Sequence, residues 1–251
     1  MPSIGIFGTG NIAYAFAKAI VNTEYKLAGV CGRNIENSQI FAKKFYCPIF
    51  NSINEMNENI DIYLLAVKDD AIEELSEKIN TEKLVLHCSG VQSIDILKQK
   101  NKGVIWPLQS INKESFIDFK NTPLCIESNS EPNLIALETF ANSLSQSVYK
   151  ITDKQKKYLH LAAVLSNNFS NHLLALAKNI CDEHRLNFNI LKPIMIQTVE
   201  NAFIQHPKLI QTGPAIRKDL KTIDEHLQLL QNNKQLQSLY ELLSKSIQEM
   251  K

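Results

Sequence analysis

Paired cysteines, an excess of charge and long apolar runs are all missing from this 251-residue chain. Its five cysteines (Cys31, Cys47, Cys88, Cys125 and Cys181) are scattered, and no two stand in a C-x-x-C spacing. That removes the usual grounds for a zinc site or a redox pair, and no metal is expected. Several of them lie in apolar runs, where a free thiol acts as a small hydrophobe. Lys and Arg number 27 against 26 Asp and Glu, and a formal net charge of +1 makes no field that would gather a nucleic acid. The longest uncharged stretch, residues 158–177, has the length of a membrane span but holds two His, three Asn and two Ser. Such a composition is poor for lipid, so no membrane partner is expected. The chain passes from Met-Pro-Ser straight into Ile4-Gly5-Ile6-Phe7 without a basic leader, which argues for a reducing, cytoplasmic setting. What remains, 44% hydrophobic and 21% charged, suits a globular protein of one or two domains with no need of a covalent staple.

The apolar pattern divides the chain. In the first half short β-type runs at 4–7, 27–31, 62–67, 84–87, 104–106, 124–127 and 148–151 alternate with helical runs at 11–21, 35–45, 71–79 and 132–144. This is the pattern of a doubly wound, mostly parallel sheet with helices on both faces. From residue 153 the β-type runs stop, and helical periodicity covers 155–183, 190–206, 215–231 and 235–249. The expected architecture is therefore an α/β domain over 1–152 followed by an all-α domain over 153–251.

Between the first strand and the first helix stands Gly8-Thr9-Gly10-Asn11-Ile12-Ala13, a G-x-G-x-x-A fingerprint. Gly8 can make the tight turn, Gly10 lets a pyrophosphate approach the backbone, and Ala13 lets helix and strand pack closely. The second strand ends Cys31-Gly32-Arg33-Asn34, without the carboxylate that would bind the ribose hydroxyls of NAD. A guanidinium at Arg33, with Asn34 beside it, suits a 2′-phosphate and points to NADP(H).

Two later strand ends, Ala66-Val67-Lys68-Asp69-Asp70 and His87-Cys88-Ser89-Gly90, fall on the sheet edge where open α/β folds bind ligands. Ser89 could hold the nicotinamide or a substrate oxygen. Asp70 is better read as the cap of the next helix, and His87 is at least as readily a core histidine as a functional one. The single tryptophan, Trp106, precedes Pro107-Leu108-Gln109 and could wall a pocket or pack beneath the second domain. On the long helix His160 and Asn167 nearly eclipse at 100° per residue and Asn171 joins them, with Asn168 and His172 on an adjacent face. Polar groups on so apolar a helix need partners, which a substrate cleft or a dimer interface would supply. Further on, Gly213-Pro214 makes a turn before a helix, and Arg217 could clamp a substrate carboxylate. Lys218 reads as a surface residue.

These motifs resemble the oxidoreductases that join an N-terminal Rossmann domain to a helical domain, of the pyrroline-5-carboxylate reductase and β-hydroxyacid dehydrogenase kind. The chain is most similar to a bacterial branch of NADP or deazaflavin-dependent-like oxidoreductases with a C-terminal domain of unknown function. The resemblance rests on Gly8-Thr9-Gly10-Asn11, Ala66-Val67-Lys68-Asp69, His87-Cys88-Ser89-Gly90, Pro107-Leu108-Gln109, His160-Leu161-Ala162-Ala163, Asn168-Phe169 and Thr212–Asp219, with His226 beyond. It implies a homodimer built through the helical domains and a small-molecule substrate held at a cleft between domains. Two positions depart from the pattern. Trp106 stands where the branch carries His, and Val164 stands where β-hydroxyacid dehydrogenases carry a catalytic Lys four residues before the Asn.

The expected protein is thus an NADP(H)-dependent oxidoreductase acting on a small carbonyl or imine. Gly8, Thr9, Gly10, Asn11, Ile12, Gly32, Arg33, Asn34, Ala66, Val67, Lys68 and Ser89 would hold the cofactor. Ser89, His160, Asn168 and Arg217 would surround the substrate, with His160 as general acid. A dinucleotide-binding sensor without turnover is the alternative, since it takes the missing Lys at face value. A helical dimeriser with a degenerate α/β domain is a third.

Overall fold

The computed structural model describes residues 1–55, 60–111 and 119–250; residues 56–59, 112–118 and 251, which fall within the two expected domains, lie outside the described residues. Two compact units result, residues 1–170 and residues 171–251.

In the first unit seven strands form one sheet: β1 Ser3–Phe7, β2 Lys26–Cys31, β3 Ile62–Leu65, β4 Leu84–His87, β5 Lys102–Pro107, β6 Leu124–Ser128 and β7 Val148–Lys150. Their order is β2-β1-β3-β4-β5-β6-β7, parallel throughout except for the antiparallel pair β5–β6. The direction of strand succession reverses between β1 and β3, and beyond the carboxyl ends of those strands lies the crevice in which such sheets bind ligands.

Alternation along β1 sends Ile4 and Ile6 to one face and Phe7 to the other. The first face packs on α1 Asn11–Ile20, α2 Ile35–Phe45 and α4 Glu131–Leu144 through Phe16, Phe41 and Phe140, all fully buried. The second is covered by Ile72 and Ile79, at the two ends of the short helix α3 Ile72–Lys78, and by Leu97. A smaller cluster of Ile94, Val104, Trp106 and Cys125 seats Leu159 of α5 Asp153–Ala163. Asn34, Ser130 and Thr152 cap α2, α4 and α5, the last in a reciprocal capping box with Gln155.

The second unit holds α6 Ser170–Glu183, α7 Lys192–Ile204, α8 Leu220–Leu229 and α9 Lys234–Gln248. Ile223, Ala215, Cys181 and Ser244 are its buried side chains among the described residues. His226 Nδ1 lies 2.8 Å from the Tyr240 hydroxyl and ties α8 to α9. No helix among the described residues is long and apolar enough to cross a membrane.

Three expectations need correction. The helical run over 155–183 is divided into α5, a π-helical stretch Val164–Phe169, and α6, so uniform 100° spacing does not hold across it. The helix expected over 215–231 starts only at Leu220. Residues 214–218 form turns, Lys218 adopts the left-handed conformation (φ 55°), and the Asp219 carboxylate caps the helix by accepting from the Thr222 amide. Asp70 caps nothing. It sits inside the 3₁₀ turn Asp69–Ala71, and the N-cap position of α3 is Ala71, which makes no side-chain cap.

Candidate active site

The turn after β1 shows why its glycines are glycines. Gly8 has φ +110°, and a Cβ there would stand 2.3 Å from the Ala66 carbonyl oxygen. Gly10 is the N-cap of α1 and offers no side-chain cap to the first-turn amides, while a Cβ on it would meet nothing within 4 Å. The first turn also lacks an acidic residue. Unpaired N–H groups, the positive end of the helix dipole and open space together fit a pyrophosphate. Gly32 is fixed by packing, since a Cβ would strike Ser38 Oγ at 2.6 Å and Thr9 Cγ2 at 2.8 Å.

At the end of β2 Arg33 is exposed and makes no ion pair or hydrogen bond among the described residues. Asn34 spends its Oδ1 on the Asn37 amide (2.9 Å), which leaves its amide hydrogens to face outward chemistry. These groups fit a 2′-phosphate, which wants donors and no neighbouring carboxylate.

A pocket of about 190 Å³ opens beside this loop. Ile12 and Val67 form one side, Cys88, Ser89 and Gly90 the floor. Trp106, Pro107, Gln109, Ile111 and Asp69 complete the lining. Gly90 is required by the indole of Trp106, which a Cβ would approach to 2.5 Å. The His160 ring lies 5.8 Å from the Trp106 ring, centroid to centroid, tilted by 43°. Trp106 thus serves as a pocket wall in the first unit and is nearly buried.

Two hydrogen bonds brace the loop that carries Gln109. Asn11 Nδ2 donates to the Ile111 carbonyl (3.3 Å), and Asn167 Nδ2 donates to Ser110 Oγ (2.7 Å). His160 and Asn167 therefore do turn toward the same strand end, the second from within the π-helical stretch. Asn168 is exposed and makes no hydrogen bond among the described residues, Lys68 is exposed outside the pocket lining, and Arg217 belongs to the second unit.

Ser89 and His87 work together. The Ser89 hydroxyl accepts from the Val91 and Gln92 amides (3.1 and 3.0 Å), and the Ser89 amide donates to His87 Nδ1 (3.1 Å). That leaves the proton of a neutral imidazole on Nε2, 3.3 Å from the Ser93 carbonyl. Burial first, and then the charge of Lys156, push the His87 pKa down to about 4. His87 is a satisfied core residue that shapes the pocket floor.

Beneath that floor lies a cluster that sequence reasoning missed. Lys156, wholly buried on α5, donates to the Gln92 carbonyl (2.6 Å) and pairs with Asp153 Oδ1 (3.3 Å) and Glu127 Oε2 (3.8 Å). Glu127 in turn accepts from the Asp153 amide (2.8 Å), and burial raises its carboxyl pKa. Lys156 stands one helical turn before His160, so spacing against His160 was the available signal.

Comparison with other proteins adds to this geometry. The family described as a domain of unknown function, DUF2520, matches residues 122–247. The "putative NADP oxidoreductase" of Bacteroides fragilis is 33% identical, with 99% of this chain and 98% of that one covered, at a TM-score of 0.87. The chain belongs to the DUF2520 family. In this DUF2520 protein residues 3–87 match the oxidoreductase family with an NAD-binding Rossmann fold, so that region carries an NAD(P)-binding fold of the oxidoreductase kind. Its fold is also similar to a pyrroline-5-carboxylate reductase of Streptococcus pyogenes (18% identity, 98% of each chain, TM-score 0.63). An imine reductase of Myxococcus stipitatus in complex with NADP+ shares it as well (16% identity, 99% and 93%, TM-score 0.73). No curated protein matches the chain.

Proposed function

We propose that this protein is an NADP(H)-dependent oxidoreductase acting on a small carbonyl or imine compound. The observation that carries the reading is the uncapped start of α1 at Gly10, with open space before it and the Trp106 pocket alongside. Gly8, Thr9, Gly10, Asn11 and Ile12 hold the pyrophosphate side of the cofactor, and Arg33 with Asn34 and Gly32 its 2′-phosphate side. Ala66, Val67, Lys68 and Ser89 line the path toward the pocket. Bound along that path, with its ring at the mouth of the pocket, the nicotinamide would supply or take up a hydride; the chain provides position and electrostatics.

His160, whose ring lies 5.8 Å from that of Trp106 beside the pocket, is the proton donor of this reading. Ser89 still has a hydroxyl proton to donate, and Asn168 serves as an orienting group for substrate. Residues 1–152 act as the cofactor domain, and residues 153–251 as the substrate and dimerisation domain of a cytoplasmic homodimer. The Bacteroides fragilis relative, described as an NADP oxidoreductase, supports the choice of cofactor.

Thermal unfolding with NADPH, NADH or neither tests this without a substrate, because a ligand specific to the folded state raises its melting temperature. NADPH should stabilise the wild type more than NADH does, and Arg33→Ala should erase that difference. Equal stabilisation of the wild type by both nucleotides would remove the role given to Arg33, and stabilisation by neither would end the reading. Among variants that keep NADPH binding, His160→Ala should lose turnover.

A further inference from the structure

We propose that the pocket beside Trp106 selects by charge and takes a flat cation, which makes a protonated imine the substrate class of this protein. The inference rests on the oxidoreductase reading and narrows it from a carbonyl or an imine to the iminium form.

Size comes first. A cavity of order 150 Å³ accommodates a benzene ring, so 190 Å³ takes one five- or six-membered ring with little to spare. Shape follows from the indole of Trp106, which supplies a flat wall locked in place by the absence of a side chain at Gly90. Indole is the aromatic face that attracts a cation most strongly, and the attraction grows as water is excluded.

Charge decides the class. Asp69 is the ionisable carboxylate on the lining, and its side chain makes no hydrogen bond or ion pair among the described residues. Among the described residues no Lys or Arg lines the pocket. The nearest buried cation, Lys156, already has Asp153, Glu127 and the Gln92 carbonyl around its ammonium group. A carboxylate-bearing ligand would meet repulsion from Asp69 with no cation among the described lining residues to offset it. A neutral ketone gains nothing from either group. An iminium gains from both and brings its activating proton on its own nitrogen.

Trp106 is the single tryptophan of the chain, so its indole N–H gives one resonance in a nitrogen-15 spectrum that needs no assignment. The holoprotein, saturated with NADPH, is titrated with N-methylpyridinium, with its neutral isostere toluene, and with benzoate. N-methylpyridinium should move the resonance with an affinity about tenfold above that of toluene, and benzoate should leave it in place. Asp69→Asn, a surface change that keeps the fold, should reduce the preference to about twofold. Toluene binding as well as the cation, benzoate binding, or no response to any probe overturns the inference. So does a cation that binds the NADPH-free protein but is blocked by NADPH, because the pocket is then the seat of the cofactor's own ring. Failure of NADPH to bind at all, read separately from the melting temperature, sinks the cofactor reading rather than the charge preference.

Discussion

Burial first, and then the charge of the buried Lys156 ammonium group, hold the His87 imidazole neutral. Two consequences follow for stability. The folded-state pKa of His87, about 4, lies below the ordinary value of 6.5, so as pH falls the unfolded chain takes up a proton that the folded one refuses. The stabilisation is complete above pH 6.5 and drains away between there and pH 4, by roughly 3 kcal/mol at most. Urea unfolding from pH 7 to pH 4 should show that loss in the wild type and a shallower one in His87→Gln. Replacing Lys156 by Met strands Glu127 and Asp153 without their cation, at a cost of roughly 3–5 kcal/mol. It should also raise the His87 pKa, which the imidazole proton resonances report; an unchanged titration would separate the two residues. None of this was visible in the sequence, where Asp153-Lys154-Gln155-Lys156-Lys157 looks like a solvated first turn. Lys154 and Lys157 are indeed exposed, and only packing under the 88–93 loop tells Lys156 apart. Gly8 and Gly10 were legible for the opposite reason, because the constraint they answer is steric and local.

The π-helical stretch Val164–Phe169 is the element that most affects the site. A hydrogen-bond register of i→i+5 lets one extra residue into the turn and re-aims the side chains that follow. Here it delivers Asn167 to Ser110 while His160, a full α-helix position, stays on Trp106. Deleting the exposed Leu165 should let the stretch relax to ordinary α-helix. Thermal stability should hold or rise, because the deletion restores the better hydrogen-bond ladder. Turnover should nevertheless fall about tenfold or more, because the brace on the Gln109 loop is lost. A deletion variant with full activity would show that the brace is idle. Periodicity alone could not reveal this, since an apolar pattern broad enough for an α-helix also accommodates one widened turn. Strand and helix positions, by contrast, were read nearly to the residue in the first half, where Gly, Pro and capping residues punctuate each change.

At the scale of the molecule, the second unit leaves its apolar surface unmet. Phe203 is 89% exposed and Ile190 72%, with Ile194, Val199, Ile204 and Leu209 exposed as well. So many exposed apolar side chains on one unit are what an interface would cover, and they support the proposed dimer. Light scattering should give twice the 28.4 kDa chain mass, and Phe203→Glu should shift the particle toward a single chain. A wild type that stays monomeric at tens of micromolar would refute the dimer.

A mostly parallel, doubly wound sheet was foreshadowed by alternation of strands and helices, but the strand order and the reversal of β6 were not, since a strand carries no mark of its place or direction. That reversal has its own consequence. Because β6 and β7 run back against β5, the chain leaves the sheet at the level of Glu127, which pairs with Val104 three residues below the carboxyl end of β5. The helix α5 must climb back. Asp153 is moored at the bottom, His160 draws level with Trp106 seven residues later, and Asn167 reaches Ser110 after seven more. Helix length becomes a yardstick laid along the sheet: its zero is pinned by the Thr152 cap, and the height at which chemistry occurs is counted in turns.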